Sequence, residues 1–497
     1  IAVLATPIPY LLGNLNADDF YYYLVLAQHT AQGLGATFDG SELTNGFHPL
    51  YYLFLTGIAF IPIDNPQFLI RVALILLLLF HHATALVLFW YFCPNMDGQD
   101  TRPTWIAWLV VCLWWFNPWT LVITLRGVEA PIATFLWAII IVNILKQQNK
   151  ACIITPIPFR EIKHAIAIGL LFGLAILART DTLLLLAIFI VTKTYRLHSK
   201  HFIKHAFIIL IFAFLITSPW WCWSYVNFGQ IMQVSGHAVF LGSHGFDWFK
   251  PTFILRETVF NTLFYFSNLL VYTMIPLLVA GFLAWNNRQN TSQLFFATMR
   301  KIISDYDFAV LTMIVLAIWY GVWQWHVQSW YLLPTILIVT IAVGLIAKNI
   351  TEQISYNAFK MSIGIIIVSG VVSTAGFSLV EDFGFGYPHQ VNGYYIAQWL
   401  NDNTEQTAII GSWNSGIIGY FTNRSVVNLD GVVNNSLHDY KISHRATSLD
   451  ELLPYIRKRG ITYLTDYEHF YIENPDEMGL KLIYESGMHG FRVYHVK

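Results

Sequence analysis

Apolar residues run in long blocks along most of this chain, broken by short polar stretches. The blocks fall near residues 67–92, 104–124, 130–145, 164–178, 182–195, 203–223, 260–285, 307–325, 331–347 and 360–380. A helix needs about 20 apolar residues to cross the hydrocarbon of a bilayer, so each block predicts a membrane helix. A shorter apolar stretch, 1–15, reads as the end of a first helix whose start is missing, which brings the total to about eleven spans. No small-residue cleavage site follows that stretch, as a signal peptide would require. One further run, 49–63, is short and ends in "PIDNP", so by length it can cross or lie along the interface.

Charge settles that question. If 49–63 does not cross, one set of loops holds Arg102, Lys146, Lys150, Arg160, Lys163, Lys193, Arg196, Lys200, Lys204, Arg288, Arg300, Lys301, Lys348 and Lys360. The other set holds only Arg126, Arg179, Lys250 and Arg256, with Arg71 near a membrane edge. The positive-inside rule makes the first set cytoplasmic. The run 49–63 is then interfacial or re-entrant. The first loop, 16–66, faces outward, and so does everything after about residue 381.

Past that point the periodicity changes. "NGYYIAQWLNDN" repeats like an amphipathic helix, and "SLDELLPYIRKRG" is a helix with a Ser cap and a Gly stop. "TAIIGS", "SVVNLD", "ITYLTD", "LKLIYE" and "FRVYHV" read as strands. The expectation is therefore a polytopic α-helical membrane domain, 1–380, followed by an extracytoplasmic α/β domain, 381–497.

Composition supports this class. The 497 residues are 56% hydrophobic, 16% aromatic and only 11% charged, where soluble domains carry about 25% charged residues. No basic stripe is present to hold phosphates, which excludes nucleic acid as a partner. Cys93, Cys112, Cys152 and Cys222 are far apart and show no metal-ligand spacing, so they read as small core residues.

The candidate chemistry starts at "NADDFYYYL". Asp18 and Asp19 directly follow the first apolar stretch, and no Lys or Arg occurs from Ile1 until Arg71. Phe20, Leu24, Ala27, Ala31 and Leu34 then fall at helical spacing, with Gln28, His29 and Gln32 between them, as in a helix lying on the bilayer. Two readings of the acids stand side by side. Acids at a helix start cap it and favour the positive dipole end. A carboxylate at a membrane surface can also act as a general base. Neighbouring residues point to different sides of a helix, so one aspartate can face a reaction and the other support it.

Other polar residues lie on the same side. His48 precedes Pro49 in "TNGFHPL" and is either a satisfied core histidine or a contact to an anion. "LRGVEAP" carries Arg126 and Glu129, and "LARTD" carries Arg179 and Asp181. Each couple can pair internally, or the arginines can hold a lipid phosphate. "QWHVQSWYLLP" offers His326, Trp330 and Tyr331 as an aromatic wall on which sugars stack, at a depth where aromatic belts are also common. "GSWNSGIIGYF" in the tail is a strand, a turn and a short helix, with the anion affinity of a helix start.

With these residues in view the chain resembles the GT-C superfamily of integral membrane glycosyltransferases, in the bacterial branch related to protein mannosyltransferases and lipid A aminoarabinose transferases. The likeness rests on Asp18-Asp19 after the first helix, the "FYY" stretch, "FDG" and "TNGFHPL", then "RGVEAP", "GLAILARTD", "SWYLLP" and "WNSGIIGYFTNRSVVNLDGVVN". It implies that Asp18 is the catalytic base and Asp19 its partner, and that Glu129 occupies an acidic site position. His48 stands where the aminoarabinose transferases have a lysine. Substrate contacts are expected from His48, Arg126, Glu129, Arg179, His326 and Tyr331.

The implied reaction is inverting transfer of a sugar from a polyprenyl-phosphate donor to a lipid, glycan or protein acceptor, outside a membrane such as the bacterial inner membrane. No cofactor is implied; a divalent metal is possible but not demanded, because phosphate is already a good leaving group. Two alternatives remain open. A metal-dependent oligosaccharyltransferase would want further metal-holding acids and a "WWD"-type motif, where "SWNSG" has Asn. A lipid-sugar-binding or scaffold subunit without activity is the other, against which the intact acids argue. A transporter would show repeated halves with interrupted helices, and none is visible.

Overall fold

The computed structural model describes residues 5–62, 65–93, 104–154, 162–197, 200–244, 306–323, 328–349, 387–467, 470–487 and 490–497, with isolated positions between 259 and 304 and between 361 and 372. The expected spans at 260–285 and 360–380 lie largely outside the described residues.

The chain opens with α1 (Ile8–Asn14), α2 (Asp18–Ala31), α3 (Pro49–Ala59) and α4 (Pro66–Phe92). Proline starts both α3 and α4, where its missing N–H costs nothing. Asn65 caps α4 by accepting from the Gln67 N–H at 2.9 Å. At 11 residues, α3 is about 16 Å long, roughly half the bilayer core. Its length therefore fits a segment that does not cross.

The helical bundle continues with α5 (Trp105–Trp115), α6 (Pro118–Leu125), α7 (Ala130–Ile154), α8 (Ile162–Ala178), α9 (Thr182–Leu197), α10 (Lys200–Phe228), α11 (Val234–His244), α12 (Asp307–Trp323) and α13 (Leu333–Asn349). The run expected as one span at 104–124 is broken: α5 and α6 meet at 49°. The cause is local, because Pro118 cannot continue the ladder and Asn117 caps the restart through the Trp119 N–H at 3.1 Å. Among the described residues, four helices are long and apolar enough to cross a membrane, or five if the bent pair counts as one span.

The C-terminal unit holds α14 (Gln390–Asn403), β1 (Ile409–Ser412), α15 (Gly416–Phe421), β2 (Ser425–Asn428), α16 (Asn435–His444), α17 (Leu449–Lys458), β3 (Tyr463–Asp466), β4 (Leu480–Glu485) and β5 (Arg492–Val496). The strands form one sheet in the order β2-β1-β3-β5-β4, parallel from β2 to β3 and antiparallel from β3 to β4. All five strands fall within the expected segments. A capping box between Ser448 and Glu451 starts α17. On one side of the sheet, Leu429, Leu437, Leu452, Ile456 and Tyr494 form a separate core. On the other, Ile396, Ile410, Ile417 and Ile418 join the core that includes Phe20, Tyr21 and the bundle.

The first loop is the layer between bundle and sheet, and this corrects one expectation. Helix α2 does not lie on a bilayer: Phe20 through Ala27 are all buried. The sheet unit covers the face that the spacing of Gln28 and His29 assigned to solvent. Arg459 of the sheet unit pairs with Asp39 and, at 2.5 Å, with Glu42. Asn45 is fully buried and joins Ser224, the Val234 N–H and Asn435.

The turn 126–129 locks this layer to the bundle. The Ala17 N–H donates to the Arg126 carbonyl at 2.9 Å, and the Tyr51 hydroxyl donates to the Gly127 carbonyl at 2.8 Å. Gly127 has φ +85°, and a Cβ there would lie 2.4 Å from the Phe20 ring. Gly127→Ala is therefore expected to cost about 2–4 kcal/mol, from left-handed strain plus overpacking. A thermal unfolding midpoint in detergent equal to wild type would contradict this.

Candidate active site

Helix α2 begins where the bundle, the first loop and the sheet unit meet. Its N-cap position is Ala17, so neither aspartate caps its own helix. Asp18 reaches instead across the interface. Its two carboxylate oxygens accept from the Gly416 N–H at 3.0 Å and the Ile417 N–H at 2.8 Å. These are the first N–H groups of α15, so the anion at that helix start is the protein's own Asp18. A Cβ on Gly416 would sit 2.3 Å from the Asp18 carbonyl oxygen, which is why the docking needs glycine there. Burial pushes the Asp18 carboxyl above the usual range, and the two N–H bonds oppose that shift.

Asp19 is different. It is half-buried, and among the described residues its side chain makes no hydrogen bond or ion pair. Burial first, then the charges of Asp18, Asp430 and Glu129, push its carboxyl up to about 8. Asp430 lies on the loop after β2; burial raises it to about 6, against the Val432 N–H that it accepts at 2.7 Å. Its Oδ2 is 3.4 Å from the Tyr22 hydroxyl. Asp466, at the end of β3, accepts from the Trp413 and Asn414 N–H groups, both at 3.1 Å, and burial raises it to about 7. Arg126 lies beside this group: its guanidinium is 4.3 Å over the Tyr387 ring, and Tyr387 also feels the Asp19 charge.

A second cluster adjoins the first through Glu129. Arg179 donates to Glu129 at 2.5 Å, to Asp181 at 2.7 Å and to the Tyr320 hydroxyl at 3.1 Å. It also lies 4.9 Å over the Tyr331 ring, which stacks on Tyr320 at 4.7 Å. The Tyr23 hydroxyl donates to Glu129 at 2.9 Å. His48 sits at the N-cap position of α3, with Nε2 3.7 Å from Glu129, and burial holds its pKa below the usual value. It is the open edge of the cluster, with 22% of its side chain exposed against 4% for Arg179.

Known structures share this architecture. ArnT from Cupriavidus metallidurans bound to undecaprenyl phosphate aligns with TM-score 0.62 at 11% identity, over 98% of this chain and 94% of that one. Its apo state aligns with TM-score 0.59, also at 11% identity and over the same shares. The archaeal oligosaccharyltransferase AglB from Archaeoglobus fulgidus, in complex with an inhibitory peptide and a dolichol-phosphate, aligns with TM-score 0.53 at 14% identity, over 91% of this chain and 66% of that one. This chain has the GT-C fold. At these identities the likeness is one of fold. No curated protein matches in sequence. Residues 385–494 match a family described as a domain of unknown function (DUF8728).

Within the GT-C fold the expected residues separate into two groups. Asp18, Asp19 and Arg126 gather at the start of α2. His48, Glu129, Arg179 and Tyr331 gather at the bundle end. His326 lies outside the described residues. Of the two pairs considered from sequence, Arg179–Asp181 forms, whereas Glu129 pairs with Arg179 and not with Arg126. Asp430, Asp466, Tyr22, Tyr23 and Tyr320 join the site without having been singled out. Cys222 is exposed, which corrects its reading as a core residue. For a metal, among the described residues no three His, Cys, Asp or Glu side chains are placed to share one ion.

Proposed function

We propose that this protein transfers a sugar from a polyprenyl-phosphate donor to an acceptor nucleophile, with Asp19 as the general base. The observation that carries the reading is Asp19 itself: a desolvated carboxylate, held among other acids, with no hydrogen-bond or ion-pair partner among the described residues. A base must be within reach of the proton it takes and must have a pKa near the working pH. Asp19 meets the second condition where Asp18 is committed to α15.

In this mechanism the acceptor attacks the anomeric carbon from the face opposite the phosphate. The bond from that carbon to the phosphate oxygen breaks, its electron pair leaves on the lipid phosphate, and the sugar inverts. Asp19 takes the acceptor's proton. Arg126 and His48 supply donors where charge grows on the phosphate. Arg179, held by Glu129 and Asp181, braces the wall on which Tyr331 presents its ring to the sugar. Asp18 is a positioning residue that fixes the sheet unit over the site. The lipid phosphates named in the ArnT and AglB structures support the donor class. The charge distribution of the loops supports an extracytoplasmic site.

The test is turnover of a panel of polyprenyl-phosphate sugars by purified protein. Wild type is expected to release polyprenyl phosphate from one of them. Asp19→Asn is expected to lose about 10²–10⁴-fold, the usual worth of a general base. Undiminished activity in a folded Asp19→Asn protein would end the assignment. Because no step needs a metal, EDTA is expected to leave the rate unchanged; a rate that returns only with added Mn²⁺ or Mg²⁺ would replace this mechanism with a metal-assisted one.

A further inference from the structure

Two histidines outside the site join the bundle to the sheet unit. His237 on α11 and His438 on α16 meet ring to ring, with His237 Nδ1 2.7 Å from His438 Nε2 and the ring centroids 4.8 Å apart. His438 is buried, whereas His237 is exposed to solvent. At its start α11 is tied twice more. The Val234 N–H donates to Asn45 at 3.1 Å, and the Gln233 side chain accepts from the Thr180 hydroxyl at 3.0 Å. That hydroxyl is 3.5 Å from His48 Nδ1, at the open edge of the Arg179 cluster. Helix α11 is thus a strap between the sheet unit and the His48 edge.

A hydrogen bond between two imidazoles needs a lone pair on one of the facing nitrogens. Asp439 Oδ1 lies 3.4 Å from His438 Nδ1. It favours the proton there, which leaves His438 Nε2 to accept from the His237 Nδ1–H. A first proton taken from solvent goes to the exposed His237, whose Nδ1–H stays a donor, and the bond holds. A second proton, on His438, sets N–H against N–H and charge against charge. Few neighbouring groups relieve it. On α16 itself, the Asp439 carboxylate is exposed, and Lys441 adds positive charge while its Nζ donates to the carbonyls of Leu429 and Asp430. The turn after β2 brings Asp430, which accepts from the Val432 N–H at 2.7 Å. The first loop brings Glu42, paired with Arg459, and α17 brings Glu451, which caps its own helix. Burial first, then the His237 charge, holds the His438 pKa below its ordinary value of 6.5.

We propose that the His237–His438 pair is a proton-operated clasp that holds α11 against the sheet unit at neutral pH and opens when both rings are protonated. A histidine whose folded pKa lies below its unfolded value favours the closed form fully above the unfolded value. The contribution is lost as pH falls below 6.5 toward the lowered folded value. Opening frees α11 from the sheet unit and slackens the Gln233 bond that steadies Thr180 beside His48. The clasp in this way couples the pH outside the bundle to the open edge of the site.

Amide hydrogen exchange of the full-length protein in detergent, corrected for the intrinsic effect of pH on exchange, reads the clasp. In wild type, peptides covering α11 are expected to lose protection between pH 7.5 and pH 5, by up to about tenfold per pH unit below 6.5, while β1 and β3 keep theirs. His237→Gln keeps the bond without the second charge, because its amide donates to neutral His438 and accepts from the protonated ring. In that variant α11 is expected to hold its protection down to pH 5. His237→Ala offers neither ring nor amide, and α11 is expected to be less protected than in wild type already at pH 7.5. Wild-type protection of α11 that stays flat from pH 7.5 to pH 5 would overturn the inference. So would a loss of equal size in His237→Gln, or one that β1 and β3 share. The readout needs no turnover, so its failure leaves the transferase reading intact, and a protein that consumes no donor still tests the clasp.

Discussion

Asp18→Asn and Asp19→Asn are expected to fail in different ways. The Asp19 carboxyl has its pKa raised to about 8, so its basic form accumulates only as pH rises. Wild-type kcat/KM should climb about tenfold per unit below that value and level off above it. Asp19→Asn should remove both the rate and this rising limb. Its stability should change in the opposite sense. A carboxyl whose folded pKa exceeds its unfolded value favours folding fully at low pH and loses that contribution as pH rises through the folded value. Asn cannot ionise, so Asp19→Asn should unfold at a higher temperature than wild type at pH 9 and near the wild-type temperature at pH 4. Asp18→Asn has another defect. One of its two bonds to the α15 N–H groups is replaced by an amide donor facing a donor, at a cost of about 1–3 kcal/mol. The rising limb should survive in the remaining activity, with a lower unfolding midpoint. Profiles of rate and unfolding temperature against pH read all of this. A limb that disappears in Asp18→Asn and persists in Asp19→Asn would exchange the two roles.

The contrast also shows what the sequence could and could not reveal. The strands of the sheet unit were legible because alternation and turn residues are local signals. The charged side chains that meet at the bundle end were conspicuous for a related reason: charged residues are scarce in an apolar chain, so Arg126, Glu129, Arg179 and Asp181 stand out wherever they occur. The different surroundings of Asp18 and Asp19 were not legible. The partners of Asp18 lie 398 and 399 residues further along the chain, and no local pattern records that they will meet. Asp430 was hidden for the opposite reason. In "NLDG" it reads as an ordinary turn aspartate, and only the closing of the sheet unit over α2 brings it near Asp19. The error on α2 has the same root. A helix with a polar stripe suits a membrane surface or a protein surface equally, and here the sheet unit is that surface.

These long-range contacts make the first loop the part of the fold on which the site depends. Through Asn45 and Asp18 it holds the sheet unit, and through Ala17 and Tyr51 it holds the turn 126–129. Glu129 stands at the end of that turn, so the two acidic clusters move together or not at all. A variant that loosens the sheet unit should therefore disturb Glu129 as well as Asp19, although the sheet unit does not supply the partners of Glu129.

Arg179→Ala is expected to be the most destabilising single change at the site. Arg179 is the only cation in ion-pair contact with Glu129 and Asp181 among the described residues, apart from His48 when protonated. Its removal leaves two buried carboxylates without their counter-charge, and breaking a buried pair in this way costs about 3–5 kcal/mol. The loss belongs to the orphaned acids more than to the missing arginine. It should therefore shrink when an acid is neutralised as well: Arg179→Ala with Glu129→Gln is expected to recover about 1–2 kcal/mol of the cost, a coupling that a double-mutant cycle measures. Arg179→Lys should recover less, because one ammonium cannot match the fork that reaches Glu129, Asp181 and Tyr320 together. Unfolding in detergent across the four combinations of these two sites gives the coupling directly. If the two changes simply add, the acids are satisfied by something other than Arg179, and the picture of a cluster braced by one guanidinium falls.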